Sequence, residues 1–175
     1  WWAMWLVDAR WQLFGLRQPT PYAGWLHAFV MQYQMLPSFI FGFLLTVFPR
    51  WMGYPDLAAG QYGPVAVLLA AGSLLAHSGL WLGMDAILMS GFAVFGTGWA
   101  LALLILGRLI RQNTSDAKAI CWHAVSALAA LTLGLIGLLA AWVVLRRTPG
   151  AWLLAIRGAI YTAASLGFVG LLALF

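Results

Sequence analysis

Three histidines, an arginine and a short polar stripe are the residues in this chain whose types and positions could carry chemistry. His27 stands at the mouth of a long apolar stretch, HAFVMQYQMLPSFIFGFLLTVFPRWMG, spanning His27 to Gly53. An ionisable side chain at membrane depth is costly, so such residues usually face a bundle interior or a cofactor. His77 closes the next apolar stretch, and His123 opens a later one beside Cys121 and Trp122. Two neutral imidazoles on neighbouring antiparallel helices could ligate a haem iron axially or share a copper ion, which makes His27 and His77 the candidate metal ligands. The alternative, open for each histidine, is an interfacial residue bonded to a lipid headgroup or a loop carbonyl.

Other residues could complete such a site. Met31, Gln34 and Ser38 follow His27 at offsets of four, seven and eleven, which share one face of an α-helix. A thioether and an amide on that face could serve as ligand and hydrogen-bond partner. Polar side chains also join helices to one another in membranes. Pro37 cannot donate a backbone hydrogen bond, so it should kink the helix one to two turns beyond His27. Arg157 lies inside the last apolar stretch and needs a partner; a haem propionate suits a guanidinium, and snorkelling to the interface is the other reading. Asp85 could orient a ligand histidine, pair with Arg157 or cap a helix.

The elements that must position these residues follow from composition. Hydrophobic residues make up 64% of the 175, charged residues only 7%, and the mean hydropathy is +0.93, against roughly 25% charged residues in soluble domains. The chain is therefore expected to be an all-α, polytopic transmembrane bundle. A bilayer core of about 30 Å needs about 20 helical residues, which gives about five spans. These run from Trp25 to Phe48, Gly63 to His77, Met84 to Leu109, Ala117 to Leu145 and Ala151 to Phe175. A partial N-terminal helix over residues 1 to 7 precedes a polar connection containing Asp8, Arg10, Arg17 and Pro19 to Pro21. Residues 1–175 read as one transmembrane domain, truncated at both ends, because both ends fall within apolar runs.

Alternating these spans brings His27, His77, Asp85 and Arg157 to one leaflet and His123 to the other. Arg10, Arg17, Arg146 and Arg147 then oppose Arg50, Arg108, Arg111 and Lys118, so the positive-inside rule assigns no orientation. The net charge of +5 belongs to helix ends, which excludes nucleic acid as the expected partner. Four aspartates and no glutamate leave no acid–base pair for hydrolysis. The single cysteine excludes an internal disulfide and a CxxC motif. Ala151, Ala155, Ala159, Ala163 and Gly167 form a small-residue ridge suited to close packing, within the bundle or with other membrane subunits. Trp25, Trp51, Trp81, Trp122 and Trp152 fall near span ends, as interfacial belts do.

The first span resembles the first-half signature of the NnrS family, bacterial inner-membrane proteins linked to nitric oxide stress and described as containing haem and copper. The family pattern is approximately WHAHEMLFG, a small apolar stretch, then GFLLTAVPNWTG. Here the text is LHAFVMQYQ, MLPSFIF and GFLLTVFPRWMG. His27, Gly42, Phe43, Leu44, Leu45, Thr46, Pro49, Trp51 and Gly53 match. The family's second histidine falls on Phe29 and its glutamate on Val30, so a metal site using both histidines does not carry over. The resemblance implies a haem-binding or nitric-oxide-related redox protein of the bacterial inner membrane. With the ligands eroded, it equally implies a non-catalytic NnrS-like subunit of a larger membrane redox complex.

Overall fold

The computed structural model describes residues 2–16, 22–112, 118–148 and 152–162, and every regular element among them is helical. In chain order these are α1 (Trp2–Trp11), α2 (Ala23–Val30), a π turn (Met31–Met35), α3 (Leu36–Trp51), α4 (Ala59–Leu82), α5 (Asp85–Gln112), α6 (Lys118–Arg147) and α7 (Trp152–Thr162). Four stretches are long and apolar enough to cross a membrane: Ala23–Trp51, Ala59–Leu82, Asp85–Gln112 and Val125–Val144. The chain is a multi-pass membrane protein. The fifth expected span begins as α7, and its remainder, residues 163–175, lies outside the described residues.

The expected first connection starts later than its polar residues suggest. Asp8 sits inside α1, is only 3% exposed, and accepts backbone N–H groups from Phe14 at 2.5 Å, Gly15 at 3.1 Å and Leu16 at 2.7 Å. One carboxylate thus folds the segment after α1 back over the helix end, with Gln12 and Gly15 at positive φ to make the reversal. The expected second span, Gly63 to His77, is also too short. Pro64 lies inside α4, where its missing N–H takes the helical donor from the Gly60 carbonyl without ending the helix. Gln61 accepts the Ala58 N–H at 2.9 Å and fixes the helix start. Ser78 turns its hydroxyl back to the Leu74 carbonyl and Gly79 is buried, so neither ends the helix. Gly83, at φ +65°, does.

Helices α4 and α5 form the closest-packed pair in the bundle. A Cβ at Gly72 would strike the backbone of Phe95, one at Gly79 that of Leu88, and one at Gly91 that of Ala76 and the Gly72 carbonyl. Three glycines therefore let the two backbones touch, as small residues do in lipid, where apolar burial alone gives little drive to associate.

The first span docks on this hairpin through rings. Phe29 stacks on Tyr33 with centroids 4.9 Å apart and meets Phe92 of α5 at 5.3 Å. Tyr33, Phe41 and Phe95 surround Trp99 at 5.7 to 6.2 Å. The Trp99 indole N–H donates to the Leu131 carbonyl of α6 at 3.1 Å, and that of Trp142 donates to the Met89 carbonyl of α5 at 3.2 Å. Indole nitrogens need a partner when buried, and here those partners tie α6 to α5. Outward-facing Phe39, Val67, Leu74 and Leu104 give the spans apolar faces suited to lipid.

Candidate functional site

The end of the bundle at which α2 and α7 begin and α4 ends holds most of the sequence-predicted site residues. The start of α5 meets α2 through Phe92 and Phe29, and the end of α4 meets α1, the neighbour of α2, through Trp81 and Trp5, so His27, His77 and Asp85 share that end. Arg157 joins them by direct contact, since its guanidinium carbon lies 4.7 Å from the centroid of the Trp25 ring. That stack holds the first turns of α7 against those of α2, with the charge kept at the exposed rim. Trp25 is thus more than a belt residue. Asp85 is exposed at the start of α5, and no ion pair joins it to Arg157.

His27 is half-buried on α2, and no hydrogen bond joins its ring to another described residue. His77 is half-buried on α4, where Nδ1 donates to the Ser73 carbonyl at 2.7 Å. A carbonyl can only accept, so this bond puts the proton of a neutral ring on Nδ1 and the lone pair on Nε2, the tautomer usual in ligating histidines. A metal shared by His27 and His77 requires their two helices to be neighbours. In the fold, α4 spends its inner face on α5, while α2 packs on α1, on α7 and through Phe29 on α5. The two histidines share an end of the bundle without sharing a helix interface. No group of three His, Cys, Asp or Glu side chains suited to a metal ion occurs among the described residues. His123 falls on α6 at a position whose side chain lies outside them.

The expected stripe of Met31, Gln34 and Ser38 is split. Met31 is 40% exposed while Gln34 is 6% exposed. The cause is the π turn, which pairs the Leu36 N–H with the Met31 carbonyl five residues back and so widens the helix by one residue over this turn. The disturbance expected from Pro37 therefore takes the form of a π turn immediately before it. Ser38 bonds to the Gln34 backbone carbonyl at 2.6 Å and contributes no free hydroxyl to a face. Tyr33, not singled out by its spacing, is the polar residue with a long-range role: its hydroxyl donates to the Ala159 carbonyl of α7 at 2.5 Å. Ala155 and Ala159 are themselves buried, so the described part of the small-residue ridge packs within the chain. Ala151, Ala163 and Gly167 lie outside the described residues.

The family model described as NnrS protein matches residues 1–175, the full length of the sequence. This chain belongs to the NnrS family. Comparison with curated proteins and comparison with solved structures give no significant match. Within an NnrS protein, the position of Phe29 gains meaning. It stands where the family signature has a second histidine, and it is 2% exposed, sealed between Tyr33 and Phe92. Gly42, in the best-matched part of the signature, is exposed and a Cβ there would meet nothing within 4 Å; Gly53, at φ +75°, needs to be glycine for its backbone.

Proposed function

We propose that this NnrS protein is a haem-binding, nitric-oxide-related redox protein of the bacterial inner membrane in which His27 would hold the haem iron. The observation that carries this reading is the coincidence, at one end of the bundle, of a half-buried imidazole bonded to no described residue and the Arg157–Trp25 stack two residues away in sequence. The residues fit a single axial imidazole with a guanidinium available to a propionate. A copper ion has less to recommend it, since His27 and His77 stand on helices that are not close-packed partners and no group of three His, Cys, Asp or Glu side chains occurs among the described residues. Haem, when bound, would supply an iron able to change oxidation state or take a diatomic ligand. The chain's own contributions are to present the His27 ring at the helix mouth, to hold Arg157 at the rim on Trp25, and to close the space behind with Phe29, Tyr33 and Phe92.

The full chain purified from haem-sufficient membranes should show a Soret band that His27→Ala removes or shifts. A cofactor-free spectrum would sink the proposal. His77→Ala, measured alongside, should leave the band in place, because α4 is not packed against α2.

A second reading has its own support. The burial of Phe29 favours a non-catalytic NnrS-like subunit that braces a larger membrane redox complex and has exchanged ligands for packing. Other membrane subunits copurifying at fixed stoichiometry, with no haem, would be its signature.

A further inference from the structure

The π turn in the first span holds polar atoms that the protein itself leaves unsatisfied. Gln34 is 6% exposed, and its Oε1 is buried with no hydrogen-bond partner; Gln32 adds a second buried and unpartnered Oε1 in the same turn. These glutamines lie inside Ala23–Trp51, between one third and one half of the way along a stretch long and apolar enough to cross a membrane. A buried amide oxygen with no donor is destabilising, and lipid chains supply no donor. The protein donors nearby are committed elsewhere. Tyr33 gives its hydroxyl proton to the Ala159 carbonyl, and Ser38 gives its own to the Gln34 backbone carbonyl. Leu36 N–H is taken by the Met31 carbonyl, and Pro37 has no N–H to give. The two glutamine amides carry N–H donors of their own, but none is bonded to either buried Oε1.

We infer that the π turn Met31–Met35 is an internal hydration site, in which a water molecule donates to Gln34 Oε1 and to a backbone carbonyl deprived of its donor by Pro37. A small neutral molecule with two O–H donors answers unpartnered oxygens, whereas an anion without a proton gives them nothing. Water at a π turn also accounts for the widening, because an inserted molecule is one of the recognised causes of a broken helical ladder. The inference stands apart from haem binding at His27, which lies one turn earlier on a different helical segment.

The test is radiolytic hydroxyl labelling of the full chain in lipid nanodiscs, read by mass spectrometry after rapid dilution into ¹⁸O water. Bulk water does not reach the hydrocarbon core, so Tyr33, Met31 and Met35 take up label only from an internal water. The expected result is ¹⁶O label at one or more of these residues, retained after dilution because the water exchanges slowly. Gln34→Leu should abolish that label while the melting temperature holds or rises, since the variant removes the acceptor that needs the water. Gln34→Met serves as a second, unbranched replacement if the leucine variant misfolds. Absence of label in the unsubstituted chain overturns the inference. So does a Gln34→Leu or Gln34→Met protein that melts lower yet keeps its label, because Gln34 would then be satisfied by the protein. Loss of the Soret band in His27→Ala bears on neither outcome.

Discussion

Gly91→Ala tests whether the α4–α5 contact organises the bundle. The added Cβ would meet the Ala76 backbone nitrogen and Cα and the Gly72 carbonyl, all of them main-chain atoms. No side chain can rotate out of the way, so the two helices must separate. Overpacking of this kind costs about 1–3 kcal/mol, and alanine returns part of it through better helix propensity, up to about 1 kcal/mol. A net loss of about 1 kcal/mol corresponds to a melting temperature about 2–4 °C lower for a chain of this size. Gly63→Ala is the matched control, since a Cβ there meets nothing within 4 Å; its melting temperature should be unchanged or slightly raised. The assay is thermal unfolding in one fixed detergent or nanodisc, followed by tryptophan fluorescence. The double variant Gly72→Ala/Gly91→Ala should lose less than the sum of the singles, because both act by parting the same pair of backbones. A Gly91→Ala protein that melts with or above Gly63→Ala refutes the reasoning, and the pair would then be held by something other than backbone contact.

Tyr33→Phe removes the hydroxyl donated to the Ala159 carbonyl and should cost about 0.5–1.5 kcal/mol, with faster proteolysis near α7 as the local readout. Asp8→Ala strips the partner from three backbone N–H groups at the end of α1, an expected loss of about 1–3 kcal/mol; hydrogen exchange should rise at Phe14, Gly15 and Leu16 before it rises elsewhere. Asp56 lies in the connection after the first span, where the hydrogen bond from Arg50 holds its carboxyl below the usual carboxylate range. Any stabilisation from that pair is therefore present above the unfolded carboxylate value and lost as pH falls through the lowered folded one. Both side chains are exposed, so Asp56→Asn should melt with the unsubstituted protein at neutral pH, and a large drop would contradict the view that this pair is weak. Phe29→His places an imidazole among Tyr33 and Phe92 with no acceptor designed for it, and should lower the melting temperature without copper-dependent recovery. Recovery on adding copper would show that the helix mouth accommodates a second histidine ligand.

The membrane architecture was legible because it depends on quantities the sequence states directly, namely long apolar runs and the paucity of charge between them. The boundaries were less so. Ser78 and Gly79 read as a break because both disfavour helix interiors in water, yet in a membrane helix the serine bonds to its own backbone and the glycine lets α5 approach. Asp8 read as a loop residue by the same habit, and its three backbone hydrogen bonds depend on a reversal that spacing does not reveal. Trp99 offered a fair clue, since a tryptophan at mid-span cannot belong to an interfacial belt and needs a partner for its indole N–H.

The candidate site was harder to read, because offsets along the chain assume an unbroken α-helix. His27, Met31, Gln34 and Ser38 align only if every turn has 3.6 residues. The π turn violates that between Met31 and Met35 and leaves Met31 toward the outside with Gln34 inside. What survives is set by contacts rather than by period: α2 is fixed to α7 twice, by Arg157 over Trp25 near the rim and by Tyr33 to the Ala159 carbonyl deeper in. His27 lies between those two attachment points in sequence. A ligand bound there would be sensed by α7, whereas His77 reports to α5 through α4. The two histidines are therefore expected to respond independently to substitution, and coupling between His27 and Arg157 is the relation that a haem reading requires and a purely structural subunit does not.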